Sequence, residues 1–199
     1  MMDDMAQRSD SRDRMIAAAR GLFREHGYLG TALSDVIEES AAPRGSLYFH
    51  FPGGKEELAT EVVLRHTSEV IAHVNRVAGA TTTAADLIAG FLKLFRDEIV
   101  SSDYRRGCAV APIVIESTPA SQPLSDVTRR GFGDVIATLA ARLEEKGVSR
   151  ERAHDLATLA VTTMEGALIL SRTLRSPKPF ETAITTLTAA AQAATDATA

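Results

Sequence analysis

Between Pro43 and Phe51 the chain reads Arg44-Gly45-Ser46-Leu47-Tyr48-Phe49-His50, so a guanidinium, a hydroxyl, a phenol and an imidazole fall within one short stretch. Arg44 offers a planar fork of donors that matches the two acceptors on a guanine edge. Ser46 adds a hydroxyl donor, and Gly45 marks a point where backbone can approach a ligand closely. Tyr48 and His50 suit phosphate oxygens. Thr31 and Lys55 each stand where a helix should begin, and the unsatisfied N–H groups of a helix N-terminus favour anions. The chemistry available here is hydrogen bonding to a sugar-phosphate backbone and to base edges. No catalytic set accompanies it: Gly-x-Ser-x-Gly, the dinucleotide glycine pattern and His-Glu-x-x-His are all absent, and the five His are scattered. Gly53-Gly54-Lys55 is not a phosphate loop, because Phe49 and Glu56 stand where that pattern needs Gly and Ser or Thr. The chain is therefore expected not to be an enzyme and to need no cofactor.

Such residues need short, closely spaced helices to present them. Residues 1–10 are polar, unpatterned and expected to be disordered. From Ser11, the residues Met15, Ala18, Ala19, Leu22 and Phe23 recur at helical spacing until Gly27 stops them. Thr31 is the expected N-cap of a second helix carrying Leu33, Val36 and Ile37, and Pro43 suits the first position of a third running to His50. Pro52-Gly53-Gly54 breaks the chain before a long helix over 55–77. Two short helices joined by a tight turn and preceded by a longer one form a helix-turn-helix.

From Met15 to about Leu58 the sequence resembles the TetR family of bacterial transcriptional repressors. The likeness runs through Ala18-Ala19-Arg20-Gly21-Leu22-Phe23, Gly27-Tyr28, Gly30-Thr31, Val36-Ile37, Arg44 to Phe51 and Lys55-Glu56-Glu57-Leu58. Ala41 replaces the family's usual turn glycine. The extra residue in Pro52-Gly53-Gly54-Lys55, together with Gly107-Cys108, is similar to drug-efflux repressors of the lincomycin-resistance type. The resemblance implies DNA contacts from Thr31, Arg44, Gly45, Ser46, Tyr48, His50 and Lys55, with Arg44 and Ser46 nearest the bases. It also implies a three-helix head, an α-helical effector domain and a dimer built on the last two long helices. The domains expected are a DNA-binding head over 11–55 and an effector and dimerisation domain over 56–199.

The remainder supports an all-α fold of ordinary composition, 45% apolar and 24% charged over 199 residues. A net charge of -4 confines any DNA contact to a local surface. The single Cys108 leaves no internal disulfide and no Cys-based zinc site, and fits a reducing compartment. With no signal segment and no apolar run of membrane-spanning length, a cytoplasmic protein without a membrane partner is expected.

Helices are expected near 83–101, 123–146 and 150–174, with a helical or irregular piece at 106–116 and a last helix from Phe180. The helix over 150–174 is apolar on more than one face, as a homodimer interface requires. Phe91, Phe95 and Ile99, then Phe132 and Ile136, then Met164 and Leu168 share helix faces. They make either a filled core or a cavity for a small hydrophobic effector, with Cys108, Ile113 and Glu116 at its mouth. Glu116 and Glu165 are either edge charges or polar anchors for that ligand. Of the aromatics, Phe51 reads as core, Tyr48 as outward, and Phe49 as either. His66, Glu69 and His73 share a face but read as a solvated one, with no metal, and Cys108 reads as a small buried hydrophobe. The function expected is a ligand-released dimeric repressor of a palindromic double-stranded operator. An adaptor without specific DNA binding would explain the helices but not the placement of Thr31, Arg44, Tyr48 and Lys55.

Overall fold

The computed structural model describes residues 2–43 and 45–196, with side chains from Asp10 onward. Among the described residues all regular structure is helical: α1 (Met2–His26), α2 (Leu33–Glu39), α3 (Ser46–His50), α4 (Gly54–Ala80), α5 (Ala84–Ser101), α6 (Ala111–Ser117), α7 (Gln122–Glu144), α8 (Arg150–Leu174) and α9 (Lys178–Asp196). The all-α expectation holds. At two helices the start differs by three residues or more from that read in the sequence. Helix α1 starts at Met2 instead of near Ser11, since no Gly or Pro intervenes to stop it. Helix α3 starts at Ser46, three residues beyond Pro43.

The chain forms two compact units, Met1–His66 with Cys108–Gly131, and Thr67–Gly107 with Phe132–Ala199. These units group residues by packing, whereas the division expected at 55/56 is contiguous in sequence. The reason is apolar area. Helices α2 and α3 have seven and five residues and bury few side chains, whereas 108–131 contributes Ala109, Val110, Ile113, Leu124 and Val127, all buried. Burying each large aliphatic side chain is worth about 1.5–3 kcal/mol, so the inserted segment supplies much of what the two short helices lack.

In the first unit α1 contacts both α2 and α3. Met15, Ala19 and Phe23 on α1, Val36, Leu47, Phe51, Leu58, Ala59 and Val62 are fully buried or nearly so. Gly27, at φ +83°, ends α1 and donates to the Phe23 carbonyl. Arg14 Nε donates to the Ser40 carbonyl at 3.1 Å, satisfying an acceptor at the end of α2.

In the second unit α5 is the inner helix. It buries Leu87, Ile88, Phe91, Leu92, Phe95 and Ile99 and contacts α8 and α9. Lys146 Nζ donates to the carbonyls of Ala78 and Thr81 at 3.0 and 2.6 Å, closing the end of α4. Among the described residues no helix is long and apolar enough to cross a membrane.

His66 departs from the solvated face expected for it. It is 6% exposed, and its Nδ1 has no hydrogen-bond partner. Burial, with the charges of Arg20 and Arg24, pushes its imidazole down to about 3 from the ordinary 6.5. The unfolded chain therefore binds one more proton than the folded one below pH 6.5, and stability is lost as pH falls from there toward 3. At 1.36 kcal/mol per pKa unit the full linkage reaches about 5 kcal/mol. Urea titrations between pH 7.5 and 4 should show this loss in the native chain and a smaller one in His66→Leu, which has nothing to protonate. Equal pH slopes for the two chains would contradict the assignment.

Candidate nucleic-acid interface

Helix α3 has only five residues, so it can bury one face alone. Leu47 and Phe51, four apart, take that face and are both 0% exposed. Tyr48 and Phe49 therefore turn outward at 63% and 67% exposed. An outward Phe49 beside Tyr48 follows from the i, i+4 geometry of Leu47 and Phe51. His50 is half-buried, with its ring 5.2 Å from Phe49 and 6.3 Å from Phe51. Arg12 of α1 lies over the Phe51 ring at 5.4 Å and pairs with Glu61 of α4 at 2.9 Å, fixing the base on which α3 rests.

The expected contact residues are treated differently by the fold. Arg44 lies outside the described residues. Gly45 is exposed at an ordinary φ of -78°, and a Cβ there would meet nothing within 4 Å, so neither backbone strain nor crowding within the chain demands glycine. Ser46 Oγ donates to the Pro43 carbonyl at 2.6 Å, which leaves its oxygen free to accept. Lys55, in the first turn of α4, lies with Nζ 4.6 Å from the centre of the Tyr28 ring. Burial lowers its pKa, opposed by the charges of Glu116 and Asp35. Thr31 does not present its hydroxyl. It is 1% exposed and Oγ1 donates to the Gly27 carbonyl at 2.8 Å, so it closes the α1–α2 turn from inside. Nor is Thr31 the cap of α2. That position belongs to Ala32, whose N–H donates to the Asp35 carboxylate at 3.0 Å. The sequence offered no sign that Ala32 would be chosen over a hydroxyl residue next to it.

Of the residues expected at a ligand cavity, Phe91, Phe95, Ile99, Met164 and Leu168 are buried in the second unit, and Phe132 and Ile136 are half-buried there. Cys108 and Ile113 are buried in the first unit. Glu116 also belongs to the first unit and is exposed, its carboxylate accepting from the Leu29 N–H. An unsatisfied turn N–H and the nearby Lys55 ammonium draw it there. Among the described residues no group of three or more His, Cys, Asp or Glu is placed to hold a metal. His73 Nε2 lies 3.2 Å from the Gly90 carbonyl.

Residues 15–62 match the model of the bacterial regulatory proteins of the tetR family, and residues 84–186 match the C-terminal domain of LmrA/YxaF-like transcriptional regulators. The chain is 34% identical over 171 residues to the HTH-type transcriptional regulator LmrA of Bacillus subtilis, covering 86% of this chain and 91% of that one. It is 35% identical over 181 residues to an uncharacterised HTH-type transcriptional regulator of Mycobacterium tuberculosis, covering 85% and 88%. The crystal structure of a TetR transcriptional regulator from Chloroflexus aurantiacus superposes with a TM-score of 0.74 at 29% identity, over 92% of this chain and 95% of that one. The outward face of α3 thus belongs to a helix-turn-helix head, and the chain is a member of the TetR family of DNA-binding transcriptional regulators. Within that family it falls in the LmrA/YxaF-like group, on the strength of the second match.

Two substitutions separate folding from recognition. Ala41 holds the turn between α2 and α3 at φ +49°, a left-handed conformation that costs a non-glycine residue about 1 kcal/mol. Ala41→Gly, at an exposed position, should raise stability by about that amount in urea unfolding. Gly45→Ala should leave stability within about 0.5 kcal/mol and yet weaken binding to a specific duplex in a gel-shift titration. If Gly45→Ala binds as well as the native chain, no close backbone approach occurs there.

Proposed function

We propose that the protein is a homodimeric repressor that reads a palindromic operator with α3 and is released by a small hydrophobic ligand held in its second unit. The outward face of α3 carries the DNA-binding half of this reading. Tyr48 and Phe49 are exposed aromatics beside an uncrowded Gly45 on a helix whose other face is locked into the core. Arg44 is the proposed base reader, with Ser46 beside it. Tyr48, His50 and Lys55 are proposed as backbone contacts.

The dimer is supported by α8 and α9. Leu159, Leu170 and Leu174 are 49%, 53% and 62% exposed, and they line an apolar groove of about 610 Å³ together with Gly166, Pro179 and Leu187. Large exposed leucines along one side of a helix are a face awaiting a partner, and a second copy brings the two heads into two-fold register with an operator of matching symmetry. The ligand half rests on Phe91, Phe95, Met164 and Leu168. Phe91 and Phe95 meet edge to face at 5.4 Å, and Met164 can repack around guests of different shape.

Selection of duplexes from a random library by the full chain should return a palindrome. Arg44→Ala should then cost about 1–3 kcal/mol and relax the base preference. Lys55→Ala should weaken all sequences alike and lower the salt slope by about one per protomer. In sedimentation Leu170→Glu should convert a dimer into a monomer and abolish operator binding. A native monomer at micromolar concentration, or mutants indistinguishable across operator variants, would refute the reading. For the ligand, a lipophilic aromatic compound that raises the melting temperature should also release the duplex, and Met164→Phe should block release without impairing operator binding.

A further inference from the structure

Helix α6 lies within the stretch matched to the C-terminal domain, at residues 84–186, and yet folds into the first unit. Two polar contacts made by α6 and the segment after it explain how it is held. Glu116 Oε2 accepts from the backbone N–H of Leu29 at 2.5 Å, and Oε1 fills the space that a side chain on Gly27 would need, 2.6 Å from the Cβ position. Gly27 is therefore required twice over, for its φ of +83° and for the carboxylate beside it. A few residues on, Ser121 Oγ donates to Glu56 Oε2 at 2.7 Å. One contact grips the turn leading into α2, and the other grips the first turn of α4, next to Lys55. The Glu116 charge also bears on Lys55 itself, holding its ammonium in the charged form against the burial that opposes it. Lys55 in turn lies over Tyr28, the residue before Leu29.

We infer that Glu116 is a positioning residue for DNA binding. From α6 its carboxylate sets the path of the 27–30 turn by accepting the Leu29 N–H, and so fixes where Lys55 and the start of α2 present themselves to the phosphate backbone. This inference rests on the DNA-binding reading above. A carboxylate accepting a backbone N–H forms one of the stronger hydrogen bonds a protein makes. Glu116 also brings a negative charge near the proposed phosphate anchor, which alone would weaken DNA binding. Its positioning effect must therefore be separated from its charge.

Glu116→Gln and Glu116→Met make that separation, being alike in length and neutral but differing in the acceptor. Because Glu116 is exposed, both variants should fold, and a thermal melt checks this. On the duplex selected by the native chain, Glu116→Gln should bind as tightly as the native protein or more tightly. Glu116→Met should bind about three- to ten-fold more weakly than Glu116→Gln, the range expected of one hydrogen bond. Hydrogen exchange of the Leu29 amide, read on the full chain without DNA, should be fastest in Glu116→Met and intermediate in Glu116→Gln, whose neutral oxygen is a weaker acceptor. Equal affinities for the two variants would overturn the inference, as would equal exchange at Leu29. Should the native chain retard no duplex at all, the DNA-binding reading fails, and Leu29 exchange alone then decides whether Glu116 holds the turn.

Discussion

The insertion of Leu47 and Phe51 into the first unit is the contact on which the outward surface of α3 depends. A helix of five residues has too few hydrogen bonds to persist alone, so α3 exists because Leu47 within it and Phe51 at its C-cap are buried in the first unit, where α3 contacts α1. That anchorage decides the orientation of everything between them. With Leu47 and Phe51 inside, Tyr48 and Phe49 have no inward position left, and the exposure of two aromatic rings, costly in a monomer without a partner, becomes a consequence of the fold. Arg12 over Phe51 and Arg14 at the end of α2 then fix the frame from the side of α1.

The same economy shows in the turns. Thr31 gives up its hydroxyl to the Gly27 carbonyl, and Ala32 takes the cap position with Asp35 supplying the missing acceptor. Ala41 accepts a left-handed backbone where glycine would be at ease. The head is thus closed by backbone geometry at Gly27 and Ala41 and by the side chains of Thr31 and Asp35.

What the sequence made legible was local. The helix faces of α1, α5, α8 and α9, the stop at Gly27, the inward Phe51 and the outward Tyr48 all follow from spacing within one element. What it hid depends on residues far apart in the chain. Glu116 meets Leu29 across 87 positions, and nothing around Glu116 distinguishes a carboxylate bound for a turn from one bound for a cavity. His66 sat in a pattern with Glu69 and His73 that suggested a solvated face, because helical spacing does not say which side other helices will cover. The assignment of 108–131 to the first unit was invisible for the same reason: an apolar stretch declares that it needs burial but not where.

That last feature bears on how such heads are exchanged between regulators. A recombination event, or a chimera built at the bench, that joins residues up to His66 to a foreign effector domain transfers only part of the first unit. The apolar side chains of 108–131 and the Glu116 and Ser121 contacts stay behind with the old partner. The head of this protein is inherited as two strips of sequence with a piece of the other unit spliced between them. Its packing can therefore travel intact only when both strips move together.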